Sequence, residues 1–234
     1  STIQNFVQDN KFQTIEINQE FTYYRARESK TLMLCTREDL FHVPYTHRGN
    51  VTTKRYSISG HPCLYLCRSS YMCWEELRRP LIENMYISAF KSKTRIKLLD
   101  LRMYKQFYNK AMFKRYIELL PIILICSMPT NNDSDTYKPE YILPQLFLHT
   151  ATFTNSSNST SSAEKDVYRG IIYSSTHIDL RTCFFSGPTD YCLTDCIVIP
   201  ARNSIEPKFC SYLKSRFELT IPKNFGTEIL CNRE

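Results

Sequence analysis

The stretch Arg55-Tyr56-Ser57-Ile58-Ser59-Gly60-His61-Pro62-Cys63-Leu64-Tyr65-Leu66, running on to Cys73-Trp74-Glu75-Glu76, decides how this chain is read. Arg55 to Ser57 reads as extended and Gly60-His61-Pro62 as a turn. Cys63 to Leu66, a short apolar run after that turn, reads as a buried strand. Ser69 or Ser70 then caps a helix that ends before Pro80. One strand-then-helix unit thus carries an arginine, an aromatic hydroxyl and a carboxylate beside a glycine turn, groups suited to holding a dinucleotide and breaking a glycosidic bond.

Helical geometry separates the two glutamates. At about 100° per residue, Glu76 lies beside Met72, Cys73 and Leu77, whereas Glu75 turns toward Arg78 and Arg79. Glu75 is therefore expected to be a solvated surface partner, and Glu76 a carboxylate at the edge of the buried face, where a functional role is more plausible.

Working outward, Glu20 to Arg27 is rich in aromatic and β-preferring residues and reads as a first strand, with Tyr23, Arg25 and Arg27 on one face. Residues 1–19 are polar with isolated apolar positions and read as an N-terminal extension to a single domain over residues 20–234. Leu40-Phe41-His42-Val43-Pro44 begins a loop. Tyr104, Phe107, Tyr108, Ala111 and Met112 mark an amphipathic helix, followed by the apolar segment Pro121 to Cys126. Thr130 to Thr136 is a polar loop, Pro144 opens a helix from its first turn, and Thr154 to Ser162 reads as a surface loop. Tyr168 to Ser175 reads as a short strand ending in two hydroxyls, with further strand-like pieces at Cys192 to Ile199 and Phe217 to Ile221. No internal repeat is evident.

Composition narrows the class. With 42% hydrophobic and 23% charged residues over 234 positions, the chain is suited to one soluble domain with a substantial core. The longest apolar run, Leu119 to Cys126, is interrupted by Pro121 and is too short to span a bilayer, so a cytoplasmic protein is expected. The net charge of +7 favours an anionic partner. Its scattered distribution argues against a direct nucleic-acid platform. Ten cysteines and sequons at Asn50, Asn132, Asn155 and Asn158 leave a secreted, disulfide-bonded protein as a rival reading. Three of the sequons arise in Asn/Ser/Thr-rich stretches and many cysteines sit in apolar runs, so reduced, buried thiols are expected. The nearest metal-like spacings, Cys63-x3-Cys67 and Cys192-x3-Cys196, lack a second pair, and no metal is expected.

These residues together resemble the RES domains, named for an Arg, a Glu and a Ser and typified by bacterial toxins related to the ADP-ribosyltransferase fold. Tyr24-Arg25-Ala26 resembles the family's first-strand arginine motif. Arg55 to Gly60 with Leu64-Tyr65 resembles its arginine, glycine-turn and tyrosine block, and Cys73-Trp74-Glu75-Glu76 its small-residue-x-x-Glu helix. Gly170-Ile171-Ile172-Tyr173-Ser174-Ser175 is similar to its late serine motif. The resemblance spans roughly residues 20 to 200. It departs from the family in the long connection between Arg25 and Arg55, in the Asn/Ser/Thr loop, and in having two adjacent serines.

The resemblance implies an α+β fold, with an ADP-ribosyltransferase-like split β-sheet, flanking helices and a central NAD cleft. It implies destruction of NAD⁺ by phosphorolysis or hydrolysis at the nicotinamide–ribose bond, or transfer of ADP-ribose to a protein. It also implies a toxin restrained by a helix-turn-helix antitoxin. Glu76 would stabilise the oxocarbenium-like transition state. Arg25 and Arg55 would fork onto diphosphate oxygens, and Tyr65 would stack on nicotinamide. Ser175 or Ser174 would hydrogen-bond the carboxamide or ribose. For phosphorolysis, Arg27 or Arg48 would hold inorganic phosphate. His42 and His61 are loop histidines that need no catalytic reason. A catalytically silent NAD-binding or interaction module is the alternative of another class.

Overall fold

The computed structural model describes residues 13–19, 21–29, 35–103, 109–130, 132, 135, 137–153, 168–178, 194–202 and 208–224. Its strands are β1 (Thr14–Ile17), β2 (Thr22–Glu28), β3 (Cys63–Cys67), β4 (Met85–Ser92), β5 (Ile96–Leu101), β6 (Gly170–Ser174), β7 (Asp195–Pro200), β8 (Phe217–Leu219) and β9 (Lys223–Asn224). They form one mixed sheet in the order β1-β5-β6-β7-β3-β2-β4-β8, with β9 beside β4. Only β5 and β6 run parallel among these pairs. The α-helices are α1 (Ser70–Glu76), α2 (Lys110–Cys126), α3 (Ile142–Phe153) and α4 (Ser211–Arg216). The class is α+β.

Alternation along the central strands builds two cores. Cys63 and Cys67 of β3 and Cys196 and Val198 of β7 face one side, where they meet Met72 and Cys73 of α1, Leu119 and Ile123 of α2, and Phe147 and Ala151 of α3. Leu64, Leu66, Ile197 and Ile199 face the other side, against Phe41, Phe209 and Leu213. A strand buried on both faces reads as a continuous apolar run, which is why β3 was visible in the sequence. Gly170 sits where β6 meets β7, and a Cβ there would lie 2.2 Å from Val198 O, so no larger residue fits.

The expected split into two sheets is absent among the described residues, but the sheet has one thin seam. β2 and β4 share seven register pairs, and β3 and β7 five. β2 and β3 share one, Tyr24 with Cys67. On one side of that rung the Arg25 guanidinium donates to Tyr65 O at 2.9 Å. On the other, Arg68 donates to Thr22 O at 3.0 Å, with its guanidinium over the Phe21 and Tyr23 rings. Two side chains thus replace ladder bonds that the diverging backbones cannot make.

Three expectations change. Residues 14–17, placed in an N-terminal extension, form β1 and pair with β5. Arg55 to Ser57 is not extended: Lys54 and Ser57 exchange backbone hydrogen bonds in both directions, closing a tight reversal. Pro121 does not begin a separate segment but lies inside α2, which starts after the Asn109 cap. The first half of the helix expected at Tyr104 to Met112, most of the Thr130–Thr136 loop, the Thr154–Ser162 loop, and Cys192 and Leu193 of the expected late strand lie outside the described residues.

Candidate active site

The seam opens onto a cleft of about 510 Å³, lined by Arg25, Arg55, Tyr65 and Glu76 from the sequence reading, together with Lys54, Arg78, Lys138, Tyr141, Tyr173, Thr176 and His177. That volume suits a nucleotide-sized ligand. Five basic side chains (Arg25, Lys54, Arg55, Arg78 and Lys138) face one carboxylate, Glu76. The cleft therefore favours an anion at its rim and holds a single negative group at its floor.

Glu76 reaches the cleft because α1 is short and firmly started. Ser69 accepts a bond from Met72 N at 3.1 Å. The helix then places Met72 and Cys73 in the core, and Glu76 at its last turn. Glu76 Oε1 accepts from Ser175 Oγ at 2.5 Å, and Cys196 Sγ lies 4.0 Å from the same oxygen. Oε2 lies 3.7 Å from His177 Nε2. The side chain keeps 27% of its surface accessible. Burial pushes its carboxyl up to about 7, helped by charge on Cys67 and opposed by the Ser175 bond, Arg55 and Arg78.

Glu75 corrects the sequence reading. It does pair with Arg79, at 2.9 Å and i+4 spacing, yet only 3% of its side chain is exposed. Burial raises its carboxyl, but hydrogen bonds from Arg79 and Tyr71 outweigh that and hold it below the usual range. It is a covered structural carboxylate rather than a solvated one, and it does not line the cleft.

The arginines divide into different roles. Arg25 is enclosed by the seam, and burial followed by the nearby Arg27 charge lowers its pKa. Its buried Nε has no hydrogen-bond partner among the described residues. Arg55 is occupied by protein acceptors. Nη1 donates to Cys126 O at 3.2 Å and Met128 O at 2.6 Å, closing the C-terminus of α2. Nη2 donates to Thr176 Oγ1 at 3.0 Å, and the guanidinium lies over the Tyr141 ring. Arg27 does not line the cleft, and the charge facing it is Asp39. Arg48 is exposed on a 3-10 turn, also outside the cleft.

Tyr65 donates to Ser57 Oγ at 3.0 Å, and burial pushes its hydroxyl well up. Tyr173 of the cleft lining is backed by the buried Tyr56, at 4.7 Å between ring centroids. Of the two serines, Ser175 meets Glu76. Ser174 Oγ accepts instead from Met103 N at 3.2 Å, and neither serine itself lines the cleft. His177, which no local motif singles out, also donates its backbone N–H to Ser175 Oγ at 3.1 Å. His42 is a core histidine: Nδ1 meets Val43 O at 2.8 Å and Nε2 accepts from Cys210 N at 2.9 Å, which requires the neutral ring. His61 is exposed and outside the cleft.

Among the described residues, no group of three or more His, Cys, Asp or Glu side chains is arranged to hold a metal ion. No described helix is long and apolar enough to cross a membrane.

No protein-family model matches the chain. Among solved structures it is similar to a chain of the M. tuberculosis MbcT-MbcA toxin-antitoxin complex. The identity is 13%, over 94% of this chain and 92% of that one, with a TM-score of 0.44, below the level at which a shared fold follows. Among curated proteins it is similar to the Bacillus subtilis (strain 168) protein named "Putative toxin YopC", at 34% identity over 220 residues. The match covers 88% of this chain and 46% of that protein. The chain thus spans about half the length of a relative that carries the name of a toxin, and is similar to it across most of its own length.

Proposed function

We propose that the chain cleaves NAD⁺ at the nicotinamide–ribose bond and acts as a toxin restrained by a partner antitoxin. The observation that carries this reading is the convergence of Arg25, Tyr65 and Glu76, from three separate elements, on one basic cleft with a single carboxylate at its floor. Breaking the bond builds positive charge on the ribose as neutral nicotinamide leaves, and a fixed carboxylate stabilises that charge. Glu76 fills this role, held by Ser175. The orphaned Nε of Arg25 gives a diphosphate oxygen a donor that the fold leaves unused, with Lys54, Arg78 and Lys138 adding charge. Tyr65 offers its ring to nicotinamide. Arg55 is a positioning residue, fixing the wall made by the end of α2, Tyr141 and Thr176. The toxin role draws support from the name of the half-matching relative.

The test is incubation of purified protein with NAD⁺, with and without inorganic phosphate, resolving nicotinamide, ADP-ribose and ADP-ribose-1″-phosphate. Phosphate-dependent formation of the last identifies phosphorolysis, and ADP-ribose alone identifies hydrolysis. No nicotinamide release under either condition, with NAD⁺ still bound, would instead identify a silent binding module.

A further inference from the structure

Three thiols lie around Glu76: Cys67 at the end of β3, Cys196 opposite it on β7, and Cys73 on α1. Ladder parity decides what the first two can do. Arg68 N donates to Asp195 O at 2.9 Å, and Ala201 N donates to Pro62 O at 2.9 Å. Those two pairs are therefore the hydrogen-bonded kind, and alternation along the register makes Cys67–Cys196 a non-hydrogen-bonded pair. At such pairs the Cα atoms stand about 4.5 Å apart and the side chains are closest. That lies within the roughly 4.4–6.8 Å a disulfide tolerates. The two Sγ atoms are 3.5 Å apart, with the Cys196 thiol donating to Cys67.

Access is asymmetric. Cys67 and Cys73 line the cleft, whereas Cys196 does not and is 1% exposed. Hydrogen bonds from Cys196 and then Cys73 hold the Cys67 thiol well below its ordinary value, against burial and with help from Arg25. The Cys67 bond and burial push the Cys196 thiol up. Cys67 is thus the nucleophile that the cleft reaches, though only 8% exposed, and Cys196 the thiol behind it.

We propose that Cys67 and Cys196 are a reversible cross-strand disulfide site, reached through the cleft by small hydroperoxides. The Cys67 sulfur attacks the O–O bond, takes one oxygen as a sulfenic acid and releases hydroxide or alkoxide. The Cys196 sulfur then displaces the sulfenic hydroxyl, which leaves as water with the Cys196 proton. Two electrons pass from the thiols to the peroxide. The bridge takes up the sulfur that lies 4.0 Å from Glu76 Oε1 and so changes what the carboxylate packs against. The inference stands on strand register and does not depend on the nucleotide reading.

The test treats reduced full chain with hydrogen peroxide, alkylates the remaining thiols without reductant and maps tryptic peptides by mass spectrometry. Cleavage at Arg68 separates Cys67 from Cys73, and fragmentation of the linked peptides 56–68 and 182–202 tells Cys67 from Cys63 and Cys196 from Cys183 and Cys192. The expected result is a Cys67–Cys196 linked pair that disappears after dithiothreitol. In Cys196→Ala, Cys67 is expected to be trapped as the sulfenic acid by dimedone. A Cys67–Cys73 link, or Cys67 remaining fully alkylatable while other cysteines oxidise, overturns the proposal. The first measurement uses the wild-type chain and needs no variant to fold.

Discussion

Ser175 Oγ donates to Glu76 Oε1 at 2.5 Å, joining residues 99 positions apart in the chain. The bond favours the ionised carboxyl, so losing it moves the titration of Glu76 upward. Ser175→Ala is expected to shift the pH–rate midpoint for NAD⁺ cleavage to higher pH and to lower kcat by about tenfold. Ser174→Ala, which removes the acceptor for Met103 N, is expected to lower thermal stability and leave the midpoint in place. Equal midpoint shifts in the two variants would contradict the assignment of Ser175.

The two neighbouring glutamates should separate cleanly by assay. Glu76→Gln is expected to lower kcat by about 100-fold or more, since it removes the group aimed at the developing charge. Glu75→Gln weakens a covered pair with Arg79 and is expected to lower Tm while keeping turnover close to wild type. Steady-state kinetics and thermal melts on both variants check this, and a comparable kcat loss in each would exclude a special role for Glu76.

Glu76 also ties activity to pH and stability in opposite senses. Its carboxyl is raised from 4.5 to about 7, so the folded state holds the proton more tightly than the unfolded chain. Its stabilising contribution is therefore complete below about pH 4.5 and lost as pH rises through about 7. Cleavage, which uses the ionised form, should rise through that same interval. Melting wild type and Glu76→Gln from pH 5 to 8 is expected to show wild type losing stability relative to the variant. A pH-independent offset between the two would refute the linkage.

At the end of β6, where Ser174 pairs with Asp195, Arg102 bridges Asp100 and Asp195 at 2.9 and 3.0 Å, with both carboxylates nearly covered. Arg102→Met strands two buried carboxyls and is expected to cost about 3–5 kcal/mol in urea unfolding. A loss below about 1 kcal/mol would mean that water already screens the clamp.

Arg78 and Arg79 follow α1 with φ of 65° and 56°, the left-handed region that suits glycine. Arg78 also lines the cleft. Arg78→Gly is expected to stabilise the fold by up to about 1 kcal/mol while raising KM for NAD⁺ several-fold. Urea unfolding and kinetics read the two effects separately, and a KM unchanged from wild type would remove Arg78 from the binding surface.

Much of the site could be read from the sequence because its centre is local. The turn, β3, the Ser69 cap and the face of α1 that carries Glu76 all follow from signals within about twenty positions of one another. The acceptors that Arg55 meets lay beyond any local reading, since Cys126 O, Met128 O and Thr176 are 71, 73 and 121 positions away. Glu75 was misread because helical angle shows direction but not that Arg79 and Tyr71 cover the side chain. β1 escaped notice because four residues of alternation acquire meaning only beside β5. His177 had no local signal at all; only the ends of β6 and α1 meeting in space bring it to Glu76.

The single rung between β2 and β3 has a mechanical consequence. Elsewhere in the sheet, changing the angle between neighbours would break several backbone bonds at once, but here the flanking bonds belong to Arg25 and Arg68. Guanidinium groups on flexible stems can follow a rotation that backbone amides cannot. The two halves of the sheet are therefore joined there by side chains more than by backbone, and a ligand that drew Arg25 away from Tyr65 O would leave Arg68 as the flanking bond.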